Sequence, residues 1–454
     1  MQNRALPTHG LNQNRALTVH GFSGMIKFNE NKEVGMERAV LKRVIADQRE
    51  YKSPKDFFYR TIVDPMLRFV NDPSIIILSG IRRCGKSTIQ RVLQQEFAKS
   101  DYYLNFDDER LIHFEVDDFQ MLLEVFIELF GEQSTFYFDE IQNIRGWERF
   151  IRRLYEQGKK IYITGSNANL LSKELGTHLT GRYIQFEVYP LSFEEIIRHH
   201  QSELLSKRVL STTDIGMMQH YFSAYLKNGG IPEFVRFEKI EYLQNLFEGI
   251  LYRDIIARYK VHDEKPLREL AYYFASNIGK EFSYTKLCAI IGINSPHTIA
   301  NYCNYLEHCY LCFFVNRYSH SLQKQIQYNK KCYMIDPVLI RTIGFRTSED
   351  RGRLLENIVF LRLKTQKNEI YFHKDKKECD FILREGNRVT QAIQVTTTLS
   401  NEEVKTREIS GLVEAMIAYN LTEGLILTEN EQDMITIDGR LIAIIPIWKW
   451  LTSN

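Results

Sequence analysis

Across 454 residues no apolar run approaches the ~18 residues that mark a membrane-crossing helix, and the N-terminus lacks a secretory leader pattern. The expectation is a cytoplasmic chain without a membrane span. Neither sign of charge prevails: 59 Lys and Arg stand against 57 Asp and Glu, a net of +2. That balance excludes a polycation that would coat nucleic acid along its whole length. Cysteines are few, odd in number and irregularly spaced: Cys84, Cys288, Cys303, Cys309, Cys312, Cys332 and Cys379. A disulfide framework is therefore not expected, and a reducing compartment is. Cys309 and Cys312 form one CxxC, but no second pair lies at zinc-finger spacing, so they read as small apolar residues at a helix end. What remains is an ordinary globular composition, 44% hydrophobic and 26% charged, with room for about three domains.

Near the start one pentapeptide occurs twice, as Gln2-Asn3-Arg4-Ala5-Leu6 and Gln13-Asn14-Arg15-Ala16-Leu17. Two copies do not make a repeat architecture. Residues 1–35 are expected to be disordered upstream sequence. Met36 opens an amphipathic stretch from Glu37 to Ile45.

The sharpest motif is Gly80-Ile81-Arg82-Arg83-Cys84-Gly85-Lys86-Ser87-Thr88, which fits the phosphate-loop pattern GxxxxGK[ST]. The β-branched run Ile75-Ile76-Ile77 precedes it and reads as a buried strand. Helical periodicity follows from Ser87 to Lys99. Strand, glycine loop, helix is the order a phosphate cradle requires. Loop amides and a helix N-terminus present positive dipole to an anion. Gly80, Arg82, Arg83, Cys84, Gly85, Lys86, Ser87 and Thr88 form the expected nucleotide-binding set. Lys86 is expected to reach the β- and γ-phosphates, and the Ser87 hydroxyl to bind Mg²⁺.

Such a loop needs an acidic strand, and Thr135-Phe136-Tyr137-Phe138-Asp139-Glu140 supplies one. Asp139 is expected to hold Mg²⁺ and Glu140 to act as general base on the attacking water. Lys160 to Asn167 reads as a further strand ending in small polar residues. Ser166 and Asn167 are candidates for contact with that water, or simply for capping the next helix. With Tyr102 to Phe106, four strands and their intervening helices predict an α/β fold with a parallel sheet covered on both faces. The nucleotide is expected at the carboxyl ends of the strands.

Several further motifs follow in order: Tyr137-Phe138-Asp139-Glu140-Ile141-Gln142-Asn143 with Trp147, Thr164-Gly165-Ser166-Asn167, Leu179-Thr180-Gly181-Arg182, Tyr189-Pro190-Leu191-Ser192-Phe193-Glu194-Glu195, Asn228-Gly229-Gly230-Ile231-Pro232-Glu233, and Leu251-Tyr252-Arg253-Asp254-Ile255. This series resembles the prokaryotic AAA-type ATPases that carry an uncharacterised, nuclease-like C-terminal domain of the DUF4143 type. The resemblance covers roughly residues 37–430. It implies an AAA+/STAND-like ATPase core at 36–185, a helical lid at 186–262, a winged-helix segment at 263–335 and a restriction-endonuclease-like domain at 336–454. It also implies ATP as the nucleotide, and a role for Arg182 beside the γ-phosphate, in the same chain or in a neighbouring subunit. Arg152 and Arg153 compete for that role.

Residues 266–318 read as helix, turn and helix, then the strand-like Leu311 to Val315. The expected recognition helix, His297 to Glu307, contains no Lys or Arg. Asn301 and Asn304 could read adenine edges, with Arg317, Lys324, Lys330 and Lys331 on an expected wing. The competing reading is a packing module.

The C-terminal order of helix, three strands, helix and strand resembles the core of PD-(D/E)xK nucleases. Glu356 and Asp380 match two of that fold's metal-binding acids. Gln394 stands where a third acid belongs, and Thr396 where the lysine belongs. Glu356, Asp380 and Gln394 are thus a candidate second metal site. Lys374, Lys376 and Lys377 are candidates for a displaced lysine. A domain used for binding or assembly is expected ahead of an active nuclease.

The reading that results is an ATPase that uses ATP and Mg²⁺ to switch or remodel an unknown protein partner, with a homo-oligomer among the options. The alternative is an ATP-regulated DNA-binding or DNA-processing protein.

Overall fold

The computed structural model describes residues 35–50, 57–97, 101–167, 179, 181–345 and 350–453. Except for Gly35, the segment expected to be disordered lies outside the described residues, so the compact unit Met36–Asn454 is described alone. No helix among the described residues is long and apolar enough to cross a membrane. All seven cysteines are free.

The compact unit opens with the expected amphipathic helix, Arg38–Glu50, which buries Leu41, Val44 and Ile45. A parallel sheet follows, made of β1 (Ile75–Gly80), β2 (Tyr102–Asn105), β3 (Thr135–Asp139), β4 (Lys160–Gly165) and β5 (Tyr183–Val188). Their order is β2-β3-β4-β1-β5. Every residue of β1 is buried because both faces of the sheet are covered. Ile75 and Ile77 face one core with Leu104, Phe136 and Phe138, while Ile76 and Leu78 face another with Tyr137 and Tyr162. This is the period-two alternation of a strand between two cores. β5 was not expected. It pairs with β1 in register from Ile75↔Tyr183 to Gly80↔Val188, so a core boundary at residue 185 cuts a strand and must move beyond Val188.

Helices dominate from Phe193 to Ser276. Phe193–Gln201 and Thr212–Asn228 both begin with serine capping boxes, at Ser192 and Ser211. The stretch Ile250–Ile256 is a π-helix. Helices Tyr284–Ile291 and Pro296–His308 are capped by Ser283 and Ser295, and Pro296 occupies the first turn of the second.

Strands β6 (Glu281–Phe282), β7 (Cys312–Arg317) and β8 (Lys330–Met334) pair antiparallel around these helices. Strands β9 (Glu369–Lys374), β10 (Glu378–Glu385), β11 (Arg388–Val395), β12 (Glu423–Thr428), β13 (Asp433–Ile437) and β14 (Arg440–Pro446) complete the chain with helices Arg351–Thr365 and Glu402–Ala418. The boundary expected at 335/336 does not divide the sheet. One nine-stranded sheet runs β13-β14-β12-β11-β10-β9-β7-β8-β6. β7 and β9 join parallel at Asn316↔Tyr371 and Arg317↔Phe372, extended by Tyr318 N–H to Phe372 C=O at 2.8 Å.

Candidate functional site

The loop Gly80–Gly85 leaves the carboxyl end of β1 and enters the helix Lys86–Phe97. A Cβ on Gly80 would stand 2.1 Å from the Val188 carbonyl oxygen, so only glycine lets the loop start this close to β5. Gly85 adopts φ +98°. Arg60 props the loop from behind, donating to the carbonyls of Cys84 (2.7 Å) and Tyr189 (2.5 Å) while pairing with Glu195 at 3.1 Å. The buried Lys86 ammonium donates to the carbonyls of Gly80 and Ile81, each at 3.0 Å, and lies 3.9 Å from Glu140. Ser87 is exposed on the first helical turn.

β3 delivers Asp139 and Glu140 beside this loop because β1, β4 and β3 are parallel neighbours. Asp139 is 1% exposed and accepts from two hydroxyls, Thr164 on one oxygen and Tyr103 (3.3 Å) on the other. Burial, reinforced by the Asp139 charge, pushes the Tyr103 phenol up, so it remains a donor. Glu140 takes a left-handed backbone, φ 52° and ψ 38°. Its amide donates to Thr164 Oγ1 at 3.0 Å, and its carboxylate accepts from Gln142. Thr164 therefore ties both acidic residues together. Sequence reading passed over it, although it stands in the same Thr-Gly-Ser-Asn run as the residues chosen.

Those chosen residues face elsewhere. Ser166 lies 3.5 Å from Asp254, and buried Asn167 donates to Tyr259 at 3.2 Å and towards Cys309 Sγ at 3.7 Å. These contacts hold both against the helical region. Arg182 requires a larger correction. It immediately precedes β5, and its carbonyl accepts from Ile75 N–H at 2.9 Å, at the amino end of β1. At ~3.3 Å per strand residue it lies roughly 16 Å from the start of the loop. Its side chain reaches Glu156 at 3.5 Å. In this structure the parallel direction of the strands therefore sets Arg182 at the opposite end of the sheet from the loop. Arg152 pairs with Glu156, and Arg153 with Gln120, on the surface of Trp147–Glu156.

The cations at the carboxyl end are different ones. Loop residue Arg82 makes a two-pronged ion pair with Asp254 at 3.1 and 3.0 Å, and lies 3.8 Å from Asp107. Burial opposes the Arg82 charge, but bonding to Asp254 and the nearby Glu140 carry its pKa up. Arg253 pairs with Asp107. Arg83, at φ 65°, is exposed and 3.6 Å from Glu233. Behind the loop, Tyr310 donates to Ser79 Oγ at 2.8 Å, and Cys309 Sγ donates to the Asp254 carbonyl at 3.3 Å. Cys312 is buried against Met334, so the CxxC sulfurs serve packing.

A second charged cluster lies in the nine-stranded sheet. Glu356 and Asp380 do come together, but around Lys331. Its ammonium is 3.1 Å from Glu356, 3.2 Å from Asp380 and 2.8 Å from Glu378. Lys331 is 1% exposed, so it is not a wing residue open to DNA. Lys330 bonds Asn316. Arg317 stacks over Tyr328 at 4.4 Å, Lys324 donates its backbone N–H to Ser321, which caps the helix Leu322–Gln327, and Asn301 bonds His297 at 3.2 Å. Of the expected displaced lysines, Lys374 pairs with Glu281 and Glu378, and Lys376 and Lys377 are exposed. The available signal was the strand run Lys331-Cys332-Tyr333-Met334, which places Lys331 and Tyr333 on one face of an otherwise buried strand. Gln394 turns its amide to Asp380 N–H and Glu408, and Thr396 bonds the Thr398 carbonyl. Among the described residues no three His, Cys, Asp or Glu are grouped to hold a metal.

An AAA domain model matches residues 72–197, and a domain of unknown function, DUF8612, matches 219–349. Neither description is the DUF4143 type that the resemblance implied for the C-terminal domain. The chain is 34% identical to the uncharacterized protein MJ1544 of Methanocaldococcus jannaschii, over 91% of this chain and 95% of that one. It is 30% identical to an uncharacterized protein of Haemophilus influenzae, over 85% of this chain and 96% of that one. Among solved structures, the Thermotoga maritima RuvB Holliday junction branch migration motor aligns over 64% of this chain and 99% of that one, at 13% identity and a TM-score of 0.29. So loose a superposition has no bearing on function.

Proposed function

The chain belongs to the family of the uncharacterized Methanocaldococcus jannaschii protein MJ1544 and contains an AAA-type P-loop ATPase domain, and from this we propose that it hydrolyses ATP to switch an attached helical and β-sheet body that acts on a protein partner. The loop suits a triphosphate. Its first glycine admits no side chain, its lysine is buried at the loop, and an exposed Ser87 opens the helix that follows. Ser87 and Asp139 would hold Mg²⁺, which would neutralise phosphate charge. Glu140 would take the proton from the attacking water as the bond to the γ-phosphorus forms and ADP leaves. Lys86 would stabilise the charge that develops on the phosphate oxygens. With Arg182 at the far end of the sheet, Arg82 and Arg253 are the same-chain arginines best situated to add positive charge.

The observation that carries the switch reading is the bonding of the loop itself. Ser79 and Arg82 are gripped by Tyr310 and Asp254, residues outside the AAA match. A nucleotide that draws Arg82 toward phosphate competes directly with Asp254, so occupancy at the loop biases the π-helix. DNA is the weaker partner reading. The helix Pro296–His308 offers no Lys or Arg, and Lys331 is withdrawn from the wing.

The test is steady-state phosphate release with and without duplex and single-stranded DNA. Lys86→Ala should weaken ATP binding by roughly 100-fold, the loss of a charged bond to phosphate. Glu140→Gln should bind ATP and stop turnover. Unchanged affinity in the first variant, or surviving turnover in the second, overturns the assignment. Strong DNA stimulation would displace the protein-partner reading.

A further inference from the structure

We infer that Lys331 is a resident cation standing between the two acids that the sequence resemblance would assign to a metal, which makes the Glu356–Asp380 pair a metal-free clasp between β8 and the C-terminal region. This inference is independent of the ATPase reading.

The donor set does not fit a divalent ion. Lys331 Nζ sits between the two carboxylates, donating to both at 3.1 and 3.2 Å, the position a bridging cation would need, and lies in ion-pair contact with Glu378 at 2.8 Å. An ammonium has three N–H donors, so two of them are committed to the acids a metal would need. The carboxylate oxygens are engaged as well. Glu356 Oε1 also accepts from Tyr333 at 2.7 Å, and a Cβ on Gly279 would lie only 2.7 Å from Glu356 Oε2, so backbone closes that side. Asp380 Oδ2 accepts from Val395 N–H at 3.0 Å. Gln394, the expected third ligand, gives its carbonyl oxygen to Asp380 N–H (3.2 Å) and its amide N–H to Glu408 (2.5 Å). A metal entering here would meet a fixed positive charge at contact distance. Burial alone would lower the Lys331 ammonium, but the surrounding carboxylates hold it well above the usual range, so it does not vacate its charge at neutral pH.

The cluster also explains why the boundary expected at 335/336 is not a structural one. Lys331 and Tyr333 come from β8, Glu356 from the helix Arg351–Thr365, and Asp380 and Glu378 from β10. One buried lysine thus fastens three elements.

The experiment titrates Mn²⁺, read by electron paramagnetic resonance, into the nucleotide-free full chain and into Asp380→Asn. Superimposable isotherms, with no Mg²⁺- or Mn²⁺-dependent plasmid nicking by either protein, are expected. A bound Mn²⁺ equivalent, or nicking, that Asp380→Asn removes would overturn the proposal. Lys331→Met should lower Tm by roughly 5 °C by stranding two buried carboxylates. The neutral combination Lys331→Met, Glu356→Gln, Asp380→Asn should recover most of that loss. If it is no more stable than Lys331→Met alone, the clasp is disproved even though the single variant is weakened.

Discussion

At Glu140 the chain bends through φ 52° at the point where β3 ends, a conformation that costs a non-glycine residue of order 1 kcal/mol or more. What holds it is Thr164, whose hydroxyl accepts from the Glu140 amide and donates to Asp139. Thr164→Val keeps the shape and removes both bonds. Turnover should fall roughly 10- to 100-fold, equivalent to about 1.5–3 kcal/mol, with Thr164→Ser restoring most of it. Kinetics in which only KM changed would show that Thr164 does not act through Glu140. That Lys86, Asp139 and Glu140 stand together at one end of the sheet was legible because it follows from local spacing. Thr164, Arg60 and Lys331 were not, because their partners lie far along the chain: Lys331 meets Asp380 forty-nine positions later. Arg182 misled for the opposite reason. A motif in the right order says nothing of which end of a strand it occupies, and the Ile75↔Tyr183 register decides that.

Among the elements, the π-helix Ile250–Ile256 couples most directly to the loop. A widened turn of this kind is uncommon and recurs at functional sites. Here it presents Asp254 inward, 2% exposed, and Arg253 outward. Asp254→Asn breaks the two-pronged bond to half-buried Arg82. Thermal unfolding should register a loss of roughly 2–4 kcal/mol, and added ATP should restore more stability to this variant than to wild type, since Arg82 is then free for phosphate. Equal ATP stabilisation of both proteins would separate Asp254 from the nucleotide. Most elements could be read in advance because capping serines and alternating strands are local signals. β5 could not: Tyr183-Ile184-Gln185-Phe186-Glu187-Val188 alternates like an edge strand, but it abuts a run of helices and was absorbed into them. β13 and β14, a short antiparallel pair around Asp438-Gly439, were missed likewise.

For the molecule as a whole, pH should matter through buried acids. Asp336 caps the helix Pro337–Ile343 and accepts from Gly230 N–H at 2.7 Å, which links the end of β8 to the Gly229-Gly230 turn. Burial raises it from 3.8 to about 7, against those backbone bonds. Burial, with Asp380 adding to it, likewise takes Glu356 to about 7. A raised acid binds its proton more tightly in the folded state. Its contribution is complete below about pH 4 and is lost as pH climbs through 7. Asp336→Asn should therefore gain in Tm relative to wild type as pH rises from about 5 to 8. A difference that stayed constant with pH would show that Asp336 keeps the same charge throughout that range.

The single sheet that crosses residue 335 has a practical consequence for anyone dissecting the chain. Cutting there strips β7 from β9 and removes Lys331 from its acids in one stroke. The fragment 336–454 would carry an unpaired, partly apolar strand rim and a cluster of uncompensated negative charge. Light scattering should find it self-associating, unlike a fragment begun at Glu264 that keeps all nine strands. The portion that can be separated from the ATPase domain with its sheet whole is therefore larger than residues 336–454, and it brings its own counter-ion.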